Sequence, residues 1–253
     1  MTPFFSIITV TKNTEEKIDK TIQSVLSQSY KNFEYIIVDG HSKDDTFHKI
    51  KKYKNIKIKI FCRRDNNFYD GLNFAIKKAK GRYISILNSG DLYFSDSVLK
   101  KMSLYIFKYK NFGLYFSNLF FTDKRRVKRI WSYKNFSYNL NDAFKIAHPT
   151  IFFSQQVAHK FKYNIKYGIS ADLDLILKLI KKKTSYKHLN FFSIIMETGG
   201  MSSFRGNFLK KLEEDLKIHK SYFKYYILNF IFQKLLKIKT ISIFNKKNFQ
   251  TKL

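Results

Sequence analysis

Cysteine and proline are scarce in this sequence. Its 253 residues include one cysteine, Cys62, and two prolines. A single thiol excludes an internal disulfide and is typical of a protein from a reducing compartment. Two prolines, with no segment rich in proline, glycine and serine, argue against a flexible hinge between domains. We therefore expect one continuous domain with a C-terminal appendage.

Acidic residues are also few, because 19 Asp and Glu stand against 48 Lys and Arg, for a formal net charge of +29. Such a charge attracts nucleic acid, an anionic membrane face or a phosphorylated substrate. The alternative is compositional, since Lys, Asn, Ile, Phe and Tyr are abundant together, as AT-rich coding sequence produces. The basic residues are scattered and no nucleic-acid-binding module is recognisable, so no specific nucleic acid is expected.

Long apolar runs are missing as well. The apolar residues 222–244 cannot form a transmembrane helix, because lysines interrupt them at four positions: Lys224, Lys234, Lys237 and Lys239. Residues 1–3 lead directly into strand-like sequence without a basic region or cleavage site, so no secretory signal is predicted. These features predict a cytoplasmic globular protein.

The C-terminal segment, residues 206–253, is basic and aromatic and is predicted to be helical. It leaves two alternatives open: contact with an anionic inner membrane face, or packing against the main domain. On a helical wheel its polar residues spread around the axis instead of sharing one face: Lys220, Asn229, Gln233, Lys237 and Lys239.

The first ninety residues alternate strand and helix patterns. Buried strands are predicted at residues 4–10, 33–38, 56–61 and 83–87, and the Asn13–Glu16 spacing of a capping box predicts the first helix between them. This alternation builds a parallel sheet with right-handed crossovers. Ligands of such sheets bind beyond the carboxyl ends of the strands, so the polar loops there are the candidate site.

The second half predicts further elements. A helix capped by Ser95 reaches residue 109, and another covers residues 171–181. Strands are predicted at residues 113–121, 150–153 and 186–192, with an edge strand or hairpin arm at residues 124–131.

Short polar strings stand at the predicted strand ends and elsewhere in a fixed order. They are residues 6–13 (SIITVTKN), 23–30 (QSVLSQSY), 38–44 (VDGHSKD), 69–73 (YDGLN), 87–91 (LNSGD), 148–150 (HPT), 171–175 (ADLDL) and 199–203 (GGMSS). In this order and spacing they resemble the family 2 glycosyltransferases of the GT-A fold, including bacterial capsule and lipopolysaccharide sugar transferases. The resemblance covers residues 4–205.

The resemblance implies an α/β, Rossmann-like fold with a mostly parallel central sheet flanked by helices. It implies a GT-A domain at residues 1–205, divided into a donor half, residues 1–94, and an acceptor half, residues 95–205. The implied activity is that of an inverting, hexosyltransferase-type enzyme. Such an enzyme moves a sugar from a nucleotide-diphosphate sugar to a surface-polysaccharide or lipid-linked glycan acceptor. The implied donor-binding residues are Val10, Thr11, Lys12, Asn13, Asp39, Asp70, Asn73, Asn88, Ser89 and Asp91.

Asp39 ends a predicted buried strand and can accept a hydrogen bond from a base N–H or a ribose hydroxyl. The matching acid of the family contacts the base. The alternative is a turn-forming aspartate before glycine. Lys12 stands where the family usually has tyrosine, so it is expected to approach a phosphate instead of stacking on the base.

The cation-binding motif of the family is altered here. The family has Asp-any-Asp, whose carboxylates hold a divalent cation across the donor phosphates, where this chain has Asn88 and Gly90. The resemblance therefore implies Mn²⁺ or Mg²⁺ with Asp91 as its carboxylate ligand. The alternatives are replacement of the cation charge by Lys12 and its neighbours, or a catalytically impaired subunit.

Asp172 matches the catalytic base of the family, which deprotonates the acceptor hydroxyl opposite the leaving diphosphate and so inverts the anomeric carbon. From the residues alone, Ser170, Asp172 and Asp174 equally fit an ordinary acidic helix start. His148 is a further candidate for contact with the acceptor or the diphosphate.

Overall fold

The computed structural model of the protein describes residues 2–54, 58–123, 126–198 and 207–246. Its strands are β1 (Phe5–Thr11), β2 (Phe33–Asp39), β3 (Ile58–Cys62), β4 (Tyr83–Ile86), β5 (Leu92–Tyr93), β6 (Leu114–Asp123), β7 (Arg126–Trp131), β8 (Phe152–Ser154) and β9 (Tyr186–Glu197). Its α-helices are α1 (Ile18–Leu26), α2 (Thr46–Lys51), α3 (Phe68–Lys78), α4 (Val98–Lys108), α5 (Gln155–Lys160), α6 (Ala171–Lys181), α7 (Phe208–Tyr222) and α8 (Tyr226–Lys246). Short 3₁₀ segments cover Leu140–Phe144, His148–Thr150 and Ile165–Ser170.

All described strands form one sheet, in the order β3-β2-β1-β4-β8-β6-β9-β5, with β7 beside β6. The first four strands are parallel, β8 is antiparallel to both β4 and β6, and β9 runs parallel to β6. The prediction of an α/β fold with a mostly parallel sheet is therefore confirmed. The predicted hairpin arm is also confirmed, because β7 pairs antiparallel with β6.

Every residue of β1 and β2 is buried, because these central strands are covered on both faces of the sheet. Alternate residues of β1 enter opposite cores. Ile8 lies in the cluster that contains Leu72 of α3, whereas Ile7 lies in the cluster that contains Ile22 of α1 and Leu99 of α4. This packing holds the carboxyl ends of β1, β2 and β4 at one edge.

Two predicted helix caps are wrong. Helix α1 begins at Ile18 after Lys17, so Asn13 and Glu16 do not form a capping box. Helix α4 begins at Val98 after Ser97, and Ser95 instead places its hydroxyl 3.0 Å from that of Ser97.

Some predictions fall outside the described residues: the string at residues 199–203, the start of the appendage at residue 206, and residues 247–253. The first residues of two predicted strands, 56–57 and 124–125, also lie outside them. Within the described part of the chain, no helix is long and apolar enough to cross a membrane.

Candidate active site

The loops after β1 and β2 meet as the parallel sheet predicts. Thr11 and Asp39, the last residues of the two strands, pair in register. The backbone N–H of Gly40 donates to the carbonyl of Thr11 over 2.8 Å. Lys12 packs its aliphatic chain beside Gly40, where an added Cβ would lie 3.3 Å from Lys12 Cβ. Val10, Thr11, Lys12 and Asp39 are thus brought together.

Asp39 is buried, with 1% of its surface exposed, and it closes the turn that follows β2. Its Oδ1 accepts from Ser42 Oγ over 2.5 Å, and its Oδ2 accepts from the Ser42 backbone N–H over 2.9 Å. Cys62 Sγ lies 3.6 Å from the same Oδ2. The turn-forming role that the sequence left open is therefore present. Each carboxylate oxygen can accept a second hydrogen bond, so contact with a base stays a prediction.

Asn13 joins the two loops instead of capping α1. Its φ of 52° is left-handed, a conformation that asparagine tolerates better than most residues. Its backbone N–H donates to Ser42 Oγ over 2.9 Å, and its Oδ1 accepts from the Lys43 N–H over 2.9 Å. These contacts cross about thirty residues of sequence and occupy the side-chain oxygen that a cap would have used.

The loop after β3 adds an acidic cluster that the sequence strings did not single out. Arg63 Nε lies 2.7 Å from Asp65 Oδ1, and Arg63 also lies 3.7 Å from Asp70. Burial raises the pKa of Asp65, while the charges of Arg63 and Lys12 act to lower it. The residues after β3 form a polar loop at the same edge of the sheet. The expectation that ligands bind beyond the carboxyl ends of parallel strands, applied to β3 as it was to β1, β2 and β4, would have identified Asp65.

Helix α3 places Asp70 and Asn73 differently. Asp70 accepts hydrogen bonds from the backbone and side chain of Asn66, each over 3.2 Å, and remains partly exposed. Both groups of the Asn73 amide bind the backbone of Tyr163, at 3.0 and 2.9 Å. Asn73 therefore ties α3 to the segment before α6, and its contact with a donor stays a prediction.

Gly90, in the loop after β4, has a backbone conformation that favours glycine. Gly90 has a φ of +98°, where a side chain would be strained, and an added Cβ would lie 3.2 Å from Lys17 Cδ. Its N–H donates to Thr21 Oγ1 over 2.9 Å, and Ser89 Oγ donates to Thr14 Oγ1 over 2.9 Å. The loop is thus fastened to the chain around α1.

Asp91 is buried next to the side chain of Asn88. Asn88 Nδ2 donates to Asp91 Oδ2 over 3.1 Å, and Asp91 is 4% exposed. Burial raises the pKa of Asp91 to about 7, against the lowering effect of Asn88 and Lys17. Asn88 Oδ1 is buried and has no hydrogen-bond partner among the described residues.

A second cluster surrounds Asp172 at the start of α6. His148 Nε2 lies 2.5 Å from the Tyr163 hydroxyl, and the rings of Tyr69 and Tyr163 lie 5.2 Å apart. Burial raises the pKa of both tyrosines well above its ordinary value, and the nearby charge of Asp172 adds to that effect. Burial lowers the pKa of His148, which the Asp172 charge opposes. Sequence reasoning did not identify Tyr163. It included Tyr69 only as part of the string at residues 69–73 and gave it no role of its own.

Contacts across α3 join the two clusters. An added Cβ on Gly71 would lie 2.9 Å from both Val10 Cγ1 and Asp65 Oδ2, so the start of α3 packs directly on the end of β1 and on the loop after β3. The charge of Asp172 acts to raise the pKa of Tyr69, which lies two residues before Gly71 on α3. Asp174 faces the other side of α6, where its Oδ1 accepts from the Tyr222 hydroxyl over 2.9 Å.

The chain belongs to glycosyl transferase family 2. The sequence profile described as "Glycosyl transferase family 2" matches residues 6–213. The predicted family is therefore confirmed over both halves of the sheet and into the start of α7.

Individual relatives agree with this assignment. A protein of Escherichia coli, the UDP-Glc:alpha-D-GlcNAc-diphosphoundecaprenol beta-1,3-glucosyltransferase WfaP, is 42% identical over 97 residues, or 37% of this chain and 38% of that protein. The chain thus spans well under half the length of this curated relative.

Two solved structures share the fold. S. aureus TarS in complex with UDP-GlcNAc has a TM-score of 0.66 at 17% identity, covering 85% of this chain and 65% of that one. The mannosyltransferase PcManGT from Pyrobaculum calidifontis, in complex with GDP-Man and Mn²⁺, has a TM-score of 0.66 at 13% identity, covering 87% and 64%. The GT-A fold is confirmed.

Proposed function

We propose that the chain is an inverting glycosyltransferase that moves a sugar from a nucleotide-diphosphate sugar to a surface-polysaccharide or lipid-linked glycan. The observation that carries the proposal is the packing of the carboxyl end of β1 against the start of α3, whose Tyr69 in turn lies in the cluster around Asp172. This arrangement supports a donor pocket beside a carboxylate suited to act as a base. The name of WfaP and the TarS complex support a UDP-sugar donor, and the name of WfaP supports a diphosphate-linked lipid acceptor.

In the proposed reaction, Asp172 takes the proton of an acceptor hydroxyl as that oxygen attacks the anomeric carbon. A new C–O glycosidic bond forms while the bond between the anomeric carbon and the diphosphate oxygen breaks. The nucleoside diphosphate leaves from the opposite face, so the configuration inverts in one displacement. A base placed in this way contributes about 10²- to 10⁴-fold to the rate.

The remaining predicted residues receive donor-side roles. Asp39 is assigned to contact with the nucleotide base of the donor, and Lys12 to contact with a donor phosphate. His148, held by Tyr163, is assigned to the acceptor or the diphosphate as a neutral hydrogen-bonding group, because burial lowers its pKa. The other assigned donor contacts are Val10, Thr11, Asn13, Asp70, Asn73, Asn88 and Ser89.

The loop after β4 offers a small number of oxygen ligands for a divalent cation. No group of three or more His, Cys, Asp or Glu side chains among the described residues is placed to hold a metal. The unpartnered oxygen Asn88 Oδ1 and the Asp91 carboxylate are nevertheless hard oxygen ligands. Mg²⁺ is commonly bound by one or two carboxylates together with substrate phosphates and water. We assign Mn²⁺ or Mg²⁺ to these two residues; when bound, the cation would offset the charge of the leaving diphosphate.

Nucleotide binding is the first test of this function. Because the site is built for a nucleoside diphosphate, UDP is expected to raise Tm, and more with Mn²⁺ than with EDTA. Ligand at 100 times its Kd stabilises by about 2.7 kcal/mol. A thermal-shift screen of UDP, GDP, CDP and dTDP measures this effect. No shift with any nucleotide would refute the donor site, and an equal shift in EDTA would refute the cation.

Two other functions remain as outcomes of the same experiments. Nucleotide binding without sugar transfer to any tested lipid-diphosphate acceptor would indicate a catalytically impaired subunit, which Gly90 in place of a carboxylate favours. Tight, strongly salt-dependent oligonucleotide binding without nucleotide binding would indicate a nucleic-acid-binding protein.

We assign residues 1–94 to the donor half, residues 95–205 to the acceptor half and residues 206–253 to an extension that meets the membrane. The support comes from the part of α8 up to residue 236, whose polar side chains contact the rest of the domain. Asn229 and Gln233 donate to Asn141 Oδ1 over 3.0 and 3.2 Å, and Lys234 donates to Asp215 over 2.6 Å. Its exposed residues through position 236 are all apolar and form the outer α8 face: Ile227, Leu228, Ile231, Phe232, Leu235 and Leu236.

An anionic lipid surface is the occupant that suits the outer α8 face. A formal net charge of +29 opposes the association of two copies of the chain and favours attraction to acidic headgroups. The acceptor class proposed above would also be held in a membrane. We therefore propose peripheral attachment to the inner face of the cell membrane.

Leu228→Asn is expected to weaken vesicle binding about tenfold, because Leu228, 69% exposed, would lose part of the 1.5–3 kcal/mol that burial of a leucine provides. Co-sedimentation with phosphatidylglycerol vesicles measures the change. Leu104→Asn is the matched control, since Leu104 is 61% exposed on α4. Dimerisation in solution without vesicle binding would instead assign the outer α8 face to a second copy.

A further inference from the structure

Helix α7 carries two adjacent buried acids that face the start of α6. Glu214 is 8% exposed and Asp215 is 2% exposed. Burial of a carboxylate is costly unless hydrogen bonds or opposite charges satisfy it. The partners of these two acids lie almost entirely in the segment Ile165–Ser170 and in the lysines around it.

Glu214 binds the backbone immediately before α6. Its Oε2 accepts from the N–H of Ile169 over 2.8 Å and from the N–H of Ser170 over 3.2 Å. N–H groups at a helix start lack partners within the helix, and a carboxylate there is also favoured by the helix dipole. Glu214 thus supplies from another helix what a local cap would ordinarily supply.

Ser170 stands at the N-cap position of α6 but makes no capping hydrogen bond. Its hydroxyl instead donates to Asp215 Oδ1 over 2.6 Å and accepts from Lys211 Nζ over 3.1 Å. Burial acts to raise the pKa of Asp215, but Lys211 and Lys234 outweigh it and hold the pKa below its ordinary value. The N-cap residue of α6 is therefore held by α7 instead of capping its own helix.

The backbone of Gly168 lies in close contact with the carboxylate of Glu214. Its φ of +45° is left-handed, and a Cβ added there would overlap Glu214 Oε1. A larger residue at position 168 would have to displace the carboxylate. The glycine and the glutamate are thus two parts of one contact.

We propose that Glu214 is a positioning residue for Asp172, with Asp215 in support. Asp172 is the second residue of α6, so the place and direction of its carboxylate follow from where Ile169 and Ser170 are held. The inference rests on the proposed function, in which Asp172 is the base. An error of about 1 Å in the position of a reacting group can cost on the order of 10²-fold in rate.

Glu214→Ala is expected to lower kcat for sugar transfer about tenfold while the Kd for UDP stays within about twofold, because the hydrogen-bond partners of Glu214 lie immediately before α6 and not in the donor loops. Glu214→Gln, which keeps an acceptor oxygen, is expected to retain more activity than Glu214→Ala. Gly168→Ala should lower kcat in the same way. Amide hydrogen exchange at Ile169 and Ser170 is expected to accelerate in Glu214→Ala.

Glu213→Ala is the matched control, since Glu213 is the preceding residue on α7 and pairs on the surface with Lys217 over 2.6 Å. It should leave kcat and the exchange of both amides unchanged. Unchanged kcat in Glu214→Ala, with an inactive Asp172→Asn, would overturn the positioning role alone. Equal losses of kcat and UDP affinity would also overturn it, as general destabilisation. No transfer by the unaltered chain would overturn the proposed function and this inference together.

Discussion

Asp172→Asn is expected to lower kcat for sugar transfer about 10²- to 10⁴-fold, the range associated with removal of a general base. Asparagine keeps the size of the side chain but cannot take the acceptor proton. Nucleotide affinity should be preserved, because the donor loops lie at the ends of β1, β2 and β4. A transfer assay with saturating UDP-sugar, together with calorimetry of UDP binding, separates the two quantities.

The control is Asp174→Asn, on the same helix and two residues further on. Asp174 is buried, and its carboxylate binds Tyr222 of α7 and does not face His148 and Tyr163. We expect this variant to keep kcat within about threefold, since asparagine can still accept that hydrogen bond. Full activity in Asp172→Asn would remove Asp172 from the reaction.

Asp39→Asn is expected to weaken UDP binding about 10- to 100-fold. A hydrogen bond to a charged group contributes about 1.5–3 kcal/mol, and the amide would turn a donor toward the base in place of an acceptor. Titration calorimetry measures the loss directly. The readout should be an affinity change with little effect on kcat at saturating donor.

Ser42→Ala distinguishes the two roles of Asp39. This change removes the hydroxyl that donates to Asp39 Oδ1 but leaves the carboxylate in place. If Asp39 contacts the base, Ser42→Ala should weaken UDP binding less than Asp39→Asn does. Equal losses would mean that Asp39 acts only by closing the turn.

The fold was predictable where a strand or helix follows from its own residues. Strands β1 and β2 are rich in apolar residues because helices cover both faces of the sheet and every residue of the two strands is buried. Helix α6 begins and ends at the predicted residues, because its apolar positions repeat with a helical period over Ala171–Lys181. Strand β9 reaches Glu197, beyond the predicted residue 192, because β6 beside it continues and supplies partners.

Features that depend on distant contacts were not predictable. Asn13 has the spacing of a cap, but Ser42 and Lys43 bind it from a loop about thirty residues away. Ser170 likewise has the residue type of an N-cap, yet Asp215 takes its hydroxyl. A propensity describes the local alternatives only, and a buried partner from elsewhere in the chain can outweigh it.

The candidate site shows the same division. Asp39, Asn88 and Asp172 follow from strand ends and family strings, since each string is local. The neighbours of Asp172 do not, because Tyr69 and Tyr163 lie almost a hundred residues apart and meet only after folding. The inward placement of Asn229 and Gln233 is a further case, since both side-chain amides donate to Asn141 Oδ1 from about ninety residues away.

Cys62 gives the molecule an intrinsic reporter. It is the only cysteine in the sequence, it is exposed, and its sulfur lies 3.6 Å from Asp39 Oδ2. A thiol-reactive fluorophore or spin label therefore has one attachment point in the native chain, next to Asp39, the carboxylate assigned to contact with the nucleotide base. Occupancy of that position can be followed spectroscopically without introducing or removing any residue.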